Sequence, residues 1–425
     1  MLSTLKNAWK IPEIRKKINF TVLMLLIFRL GSSIPVPYMN KAIIKSIFET
    51  SQGGILQFLD LMAGGTFSNF SIFATNIYPY ITASIVIQLL TIAIPRLEEL
   101  AKEGEEGKKK INKYTRFTAM ILATIQAIGY TIGIFRSALD PSAGTMQKII
   151  VVLTLVAGTA LLVWIGEQIT KNGIGNGISL IIFVGIISRL PADLIGIFRG
   201  VAAGYLNIIK VLIFGLVFIV IIAFVVALQE GERKIPVQYA KRVVGRKMYG
   251  GQSTHIPIKV SMSGVMPVIF ASSLLSLPQT ITLFSNGAFA QWITKYFTPQ
   301  GTVGVWVYSI LNVALIMFFT YFYTAIQFNT VEYSKNLQQN GGFIPGIRPG
   351  RPTSDYLNRV VSRLTFVGGF SLAILASLPI ILSKIFAMNV NFGGTAVIIV
   401  VGVALETVKQ IESQMLMRHY KGFLK

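Results

Sequence analysis

The chain has no cysteine, which excludes a disulfide framework, a thiolate nucleophile and any cysteine-ligated metal site. It has two histidines, His255 and His419, both in charged, loop-like stretches, where solvated loop residues are the favoured reading over a catalytic role. Only 13% of the 425 residues are charged, against 53% hydrophobic. A soluble chain of this length would need far more polar surface. Acidic residues are scarce, 17 against 39 Lys and Arg. No P-loop, HExxH or other nucleotide or metal motif occurs. The glycine pattern Gly173-Ile174-Gly175-Asn176-Gly177 leads into an apolar run and follows no strand, so it reads as a tight turn, not a phosphate cradle. Nothing points to an enzyme, and no cofactor is expected.

What the chain does have is long apolar blocks of about twenty residues, the length a helix needs to cross a bilayer. The candidate spans are 18–34, 71–94, 115–135, 149–169, 178–190 (extendable to 198), 208–228, 263–284, 303–328, 364–385 and 393–408. All are expected to be helices, because a helix satisfies its own backbone in lipid. The expectation is an all-α integral membrane protein crossing about ten times. Met1 to Lys17 is polar and basic, with no small-residue cleavage site after the first apolar run, so no cleaved signal is expected. Most of the 39 basic residues fall on one side of these spans, which by the positive-inside rule puts both termini in the cytoplasm.

Charge inside the spans is read as nearly absent, the residues singled out being Arg29, near the outer end of the first and able to snorkel, and Glu167, near the inner end of the fourth. A coupled transporter of a small solute usually needs buried carboxylates or broken-helix ion sites near midplane. That class is the alternative kept open. Two connections, 229–262 and 329–364, are far longer than joining spans requires and mix Arg and Lys with Gly, Pro and Tyr. They suit docking to an acidic surface or to ribosomal RNA phosphate, with passive anchoring to anionic lipid as the plainer reading. Segment 53–70 is apolar but too short to span, and Asp60 interrupts it. It is either an interfacial helix on the outer surface or a re-entrant piece filling a cavity. Pro79 in the second span and Pro267 and Pro278 in the seventh, set among serines, suggest kinked, weakly packed helices; ordinary membrane-helix composition would look the same.

Several stretches together carry a resemblance. They include Phe28-Arg29-Leu30-Gly31 with Ile34-Pro35-Val36-Pro37, Ser71-Ile72-Phe73-Ala74, Pro79-Tyr80-Ile81-Thr82-Ala83-Ser84-Ile85 and Glu103-Gly104-Glu105-Glu106-Gly107. Further along come Lys109-Lys110-Ile111-Asn112-Lys113-Tyr114-Thr115-Arg116, the Gly173 to Ser179 turn, Tyr239-Ala240-Lys241-Arg242 and Gln252-Ser253-Thr254-His255. The last are Ile269-Phe270-Ala271-Ser272-Ser273, Phe343-Ile344-Pro345-Gly346-Ile347-Arg348-Pro349-Gly350 and Phe392-Gly393-Gly394-Thr395. Along essentially its whole length the chain resembles the bacterial SecY family, the channel-forming subunit of the general secretory translocon.

The resemblance implies two inverted halves, 1–200 and 201–425, around an hourglass pore in the bacterial cytoplasmic membrane. It implies passage of unfolded secretory proteins across the membrane and lateral release of membrane segments into it. The implied pore ring is Ile77, Ile81, Ile178, Ile182, Ile269 and Ile399, an apolar gasket that dewets when empty. The implied plug lies in 53–70, with Leu56, Leu59, Leu61, Met62, Gly64, Gly65 and Phe67. The lateral gate falls at the second and seventh spans, with Thr82, Gln88, Thr124, Gln126, Ser272 and Ser273. The long connections would dock a motor or ribosome through Lys241, Arg242, Arg246, Arg348 and Arg351. The implied partners are the small membrane subunits SecE and SecG, the SecA motor ATPase, the ribosome, signal peptides and nascent chains, and anionic lipids. One departure is Asn76, which precedes Ile77 where the family often has a small residue, a change that bears on how the plug seats.

Overall fold

A computed structural model of the chain describes residues 2–50, 60, 64–141, 144–204, 207–239, 242–244, 247–249, 253–281, 287–297, 302–386 and 394–422. A helix lies on every candidate span. In chain order these are α1 (Leu2–Lys10), α2 (Pro12–Gly31), α3 (Lys41–Thr50), α4 (Tyr78–Ala93), α5 (Pro95–Lys102), α6 (Glu105–Ile128), α7 (Thr145–Asn172), α8 (Gly177–Ala202) and α9 (Ile208–Glu230). After the first long connection come α10 (Met266–Ile281), α11 (Ala288–Tyr296), α12 (Thr302–Gln327), α13 (Thr330–Gln339), α14 (Arg351–Phe386) and α15 (Gly394–Gly422). Among the described residues, six helical stretches are long and apolar enough to cross a membrane, and a seventh if α4 and α5 count as one span. α2 carries Arg15, Lys16 and Lys17 near its start, and α10 is only 16 residues long.

The second span differs most from expectation. Its helix begins at Tyr78, and residues 71–77 form turns. Asn76 has φ +52°, a left-handed conformation that ends the turn and that Asn tolerates better than most residues. Its Oδ1 accepts the Ile77 N–H at 2.8 Å. Pro79 follows in the first turn of α4, where its missing N–H costs nothing; it starts the helix and does not kink it. At the other end α5 turns 102° away from α4.

The described parts of the two long connections contain strands. The first forms β1 (Glu232–Tyr239), β2 (Arg242–Val244), β3 (Lys247–Tyr249) and β4 (Ser253–Lys259). β1 pairs antiparallel with β4 from Glu232↔Lys259 to Gln238↔Ser253. The second connection adds β5 (Gly342–Phe343) to the other edge of β1. Val237, Ile235 and Ile258 alternate inward and bury against Ile344, Leu357, Val360 and Val361, so the sheet has its own apolar core on the long helix α14. His255 lies in β4, opposite Pro236, and is exposed.

The helices enclose a single large apolar cluster running from Phe28 and Val36 to Ile399 and Val403. Their outward faces stay apolar and open, as with Leu212, Leu216 and Ile219 of α9 and Leu153 of α7, the pattern of helices that meet lipid.

Candidate functional site

Asp60 and much of residues 64–70 pack inside the bundle. Asp60 is 1% exposed, and Thr66, Phe67 and Phe70 are equally enclosed. An interfacial helix on the outer surface would leave these residues open, so the described part of the segment is a re-entrant piece. Leu56, Leu59, Leu61 and Met62 lie outside the described residues.

An ion pair, a close backbone approach and two hydrogen bonds hold the segment. The Asp60 carboxylate pairs with Arg189 of α8 and accepts the Ser68 N–H at 2.7 Å. Gly64 approaches α8 so closely that a Cβ on it would lie 2.5 Å from the Gly185 backbone, and its φ is +67°. The Gly64 carbonyl accepts from Arg29 Nη1 at 3.3 Å and from Ser188 Oγ at 3.4 Å. Arg29 therefore turns toward this carbonyl and Ser188, where snorkelling was expected. Gly65, with φ +83°, closes a turn by donating to the Asp60 carbonyl at 3.0 Å.

An aromatic cage grips the far end. The Phe67 ring meets Phe48 of α3, Tyr130 and Phe135, and Phe70 packs edge-on to Phe135 at 4.7 Å. Tyr130 lies in the π-helical turn Gly129–Ile134 that ends α6. A π-turn shifts the helical register, and here it leads directly into Phe135.

Five of the six ring isoleucines are buried in the one apolar cluster: Ile77 and Ile81 at the start of α4, Ile182 of α8, Ile269 of α10 and Ile399 of α15. Ile178 is half-buried against it, and a Cβ on Gly166 of α7 would lie 3.1 Å from its Cγ1. Ile178 thus divides its surface between the cluster and α7. The Gly173–Ser179 turn that starts α8 is built as expected. Asn176 caps the helix, accepting from Ile178 and Ser179 N–H, and Gly175 takes φ +86°.

α4 and α10 pack against each other, with Thr82, Ser272 and Ser273 buried. The polar groups along these helices mostly bond within their own helix. Ser272 donates to the Val268 carbonyl at 2.8 Å, Thr124 of α6 to Met120 at 2.8 Å, and Gln88 to Ser84 at 3.3 Å. Ser273 Oγ and Gln126 Oε1 are buried without a partner among the described residues. The α4–α10 seam is held chiefly by packing, which costs less to open than a ladder of hydrogen bonds.

At the sheet end, Arg348 and Arg351 are exposed beside a turn with Gly346 at φ +81° and Gly350 at φ +96°. Ser334 and Thr353 donate to the carbonyls of Gly350 and Arg348, at 2.7 and 2.8 Å. Arg242 lies in β2, while Lys241 and Arg246 fall outside the described residues. At the same end a cavity of about 520 Å³ opens between α9, α10, α12, α15 and the start of α8.

Among the charged groups within the candidate spans, the sequence reading singled out neither Arg189 nor Glu406 of α15, which lines the cavity. A lone Asp in an apolar segment needs a partner, and that requirement was the available signal for Arg189. Glu167 pairs with Arg116 of α6.

A bundle of membrane-length helices that buries a re-entrant segment against an apolar cluster is the architecture these residues define. The SecY family model matches residues 71–408. The SecY protein translocase subunit of Halalkalibacterium halodurans is 46% identical over 437 residues, covering 100% of both chains. Solved structures agree in fold. A SecY channel studied for how its plug domain stabilises the closed state has TM-score 0.66 at 19% identity, with 97% of each chain covered. Sec61 in a canine ribosome–channel complex has TM-score 0.62 at 17% identity, again with 97% of each covered. The chain belongs to the SecY family.

Proposed function

We infer that this chain is the protein-conducting channel of a bacterial cytoplasmic membrane, passing unfolded polypeptides across and releasing apolar segments sideways into lipid. The observation that carries the reading is the burial of Asp60 and of Gly64, Thr66, Phe67 and Phe70, held by Asp60–Arg189 and Gly64–Gly185 next to the isoleucine cluster. A stopper is of use only where there is a pore to close. We take ten crossings in two halves, 1–200 and 201–425, with both termini cytoplasmic, in keeping with the charge asymmetry.

In this reading Ile77, Ile81, Ile178, Ile182, Ile269 and Ile399 form the constriction, and 53–70 is the plug. Branched apolar side chains dewet a narrow opening, yet yield around a chain without binding it tightly. The α4–α10 seam is the lateral gate. A signal sequence with its apolar core partitions through it toward lipid, and the hydroxyl groups along it keep no strong bond across the opening.

The channel performs no chemistry of its own, so the driving force comes from a SecA-type motor ATPase or a translating ribosome. These dock on the sheet end through Lys241, Arg242, Arg246, Arg348 and Arg351, aided by small subunits of the SecE and SecG kind. The ribosome-bound Sec61 relative and the rigid, exposed Arg348 turn support this. The test is reconstitution in vesicles with a purified motor and a secretory precursor. ATP-dependent protection of the precursor from protease is the expected result. Failure of import together with solute flux down a gradient would instead favour the transporter class.

A further inference from the structure

We propose that the cavity at the sheet end is a binding site for peptide backbone, taking the main-chain carbonyls of an extended chain whatever its side chains. The inference deepens the channel reading and rests on it. Four carboxamides line the cavity: Asn176, Gln229, Gln327 and Gln410. Two of them have their oxygens occupied by the protein. Asn176 Oδ1 accepts from Ile178 and Ser179 N–H at 3.1 and 3.3 Å, and Gln410 Oε1 accepts from Gly175 N–H at 3.0 Å. Both amides are thus fixed with their NH₂ groups to spare.

Gln229 goes further. Its Nε2 is buried and has no partner among the described residues. It lies close beside α15 at Gly402, where a Cβ would come within 2.6 Å of Nε2. Ser263 Oγ, on the same wall, is likewise buried and unpartnered. An unpaired buried donor costs free energy, so a surplus of them in one cavity calls for a ligand rich in acceptors.

Charge argues for a neutral acceptor. Lys259 and Lys409 line the cavity, but Glu406 stands among them, and a carboxylate there opposes a dedicated anion site. An extended polypeptide offers one carbonyl for every residue, about every 3.3–3.6 Å, independent of sequence. Neutral amide donors hold each for about 1 kcal/mol net, weak enough for the chain to move on, as conduction requires.

The position is suitable as well. Asn176 precedes Ile178 by two residues, Val265 precedes Ile269 by four, and Gly402 follows Ile399 by three. The cavity therefore lies about one helical turn, some 5 Å, from the isoleucine cluster. Donors in register with the entering backbone would align it before the constriction.

The test uses the complete channel with its partner subunits in vesicles, a purified motor, and precursors whose translocated segments are acidic, basic or neutral. Gln229→Leu removes an unpaired donor and should fold. It is expected to raise the precursor concentration for half-maximal import by about threefold, the loss of part of one hydrogen bond, equally for all three precursors. Gln229→Glu, which presents acceptors to acceptors, should raise it further. Ser263→Ala, a smaller change, should act in the same direction. Unchanged half-saturation in all three variants, or a change confined to acidic segments, would overturn the proposal. Import by the unaltered channel separately tests the conduction reading.

Discussion

The carboxylate of Asp60 and the guanidinium of Arg189 form an ion pair in which the Asp60 side chain is 2% exposed and Arg189 22%. This pair joins the stopper to α8, the helix that also carries Ile178 and Ile182. Breaking such a pair from one side leaves an uncompensated buried charge, at a cost of about 3–5 kcal/mol, whereas replacing both partners by apolar groups costs far less. Arg189→Leu should therefore raise ion leak through the resting channel in planar bilayers, and Asp60→Leu/Arg189→Leu should leak less than the single variant. Equal leak in both would mean that the pair does not hold the segment.

Gly64 tests the same seal through shape. A methyl group there meets the Gly185 backbone at 2.5 Å, and the residue needs φ +67°, whereas Gly65 has positive φ and open space around it. Gly64→Ala should increase vesicle leak to a small dye and permit export of precursors with weakened signals. Gly65→Ala carries only the left-handed strain of about 1–2 kcal/mol and should leak less. A larger leak from Gly65→Ala would contradict the close-packing account.

Asn76 connects the turn at 71–76 to α4. Because it occupies left-handed space, Asn76→Gly should preserve both the seal and the thermal stability of the purified channel. Asn76→Val should lower the melting temperature, reflecting about 1–2 kcal/mol of strain in a β-branched residue at φ +52°.

The helices were legible in the sequence because apolar runs of membrane length need no tertiary information. The start of α4 was not, since an Asn in left-handed conformation reads like any polar residue within a run. The long connections announced themselves by length and composition. Their strands did not, because Ile235, Val237 and Ile258 show their alternation only once they pair. Of the candidate site, Asp60 was visible as an oddity, whereas Arg189 stood unmarked near the end of an apolar run. They lie 129 positions apart, and no local pattern links them. The ring isoleucines are indistinguishable from other membrane isoleucines until the fold brings them into one cluster.

Arg348 is exposed, with its carbonyl fixed by the Thr353 hydroxyl at 2.8 Å, so its side chain projects from a rigid turn. Arg348→Glu should slow motor-driven export at least tenfold in vesicles while leaving insertion of the channel itself unchanged, a difference of about 1.4 kcal/mol or more in the step affected. Equal loss of both would assign Arg348 to folding instead of docking.

The central claim, that a polypeptide passes through the isoleucine cluster, is open to one direct measurement. The chain has no cysteine, so a single thiol placed at Ile77, Ile182 or Ile269 is unique in it. A precursor stalled partway and carrying one cysteine in its translocating segment should form a disulfide with each of the three under mild oxidation. A thiol at lipid-facing Leu216 should form none. Absence of a crosslink at all three ring positions, with the precursor demonstrably stalled, would contradict the account.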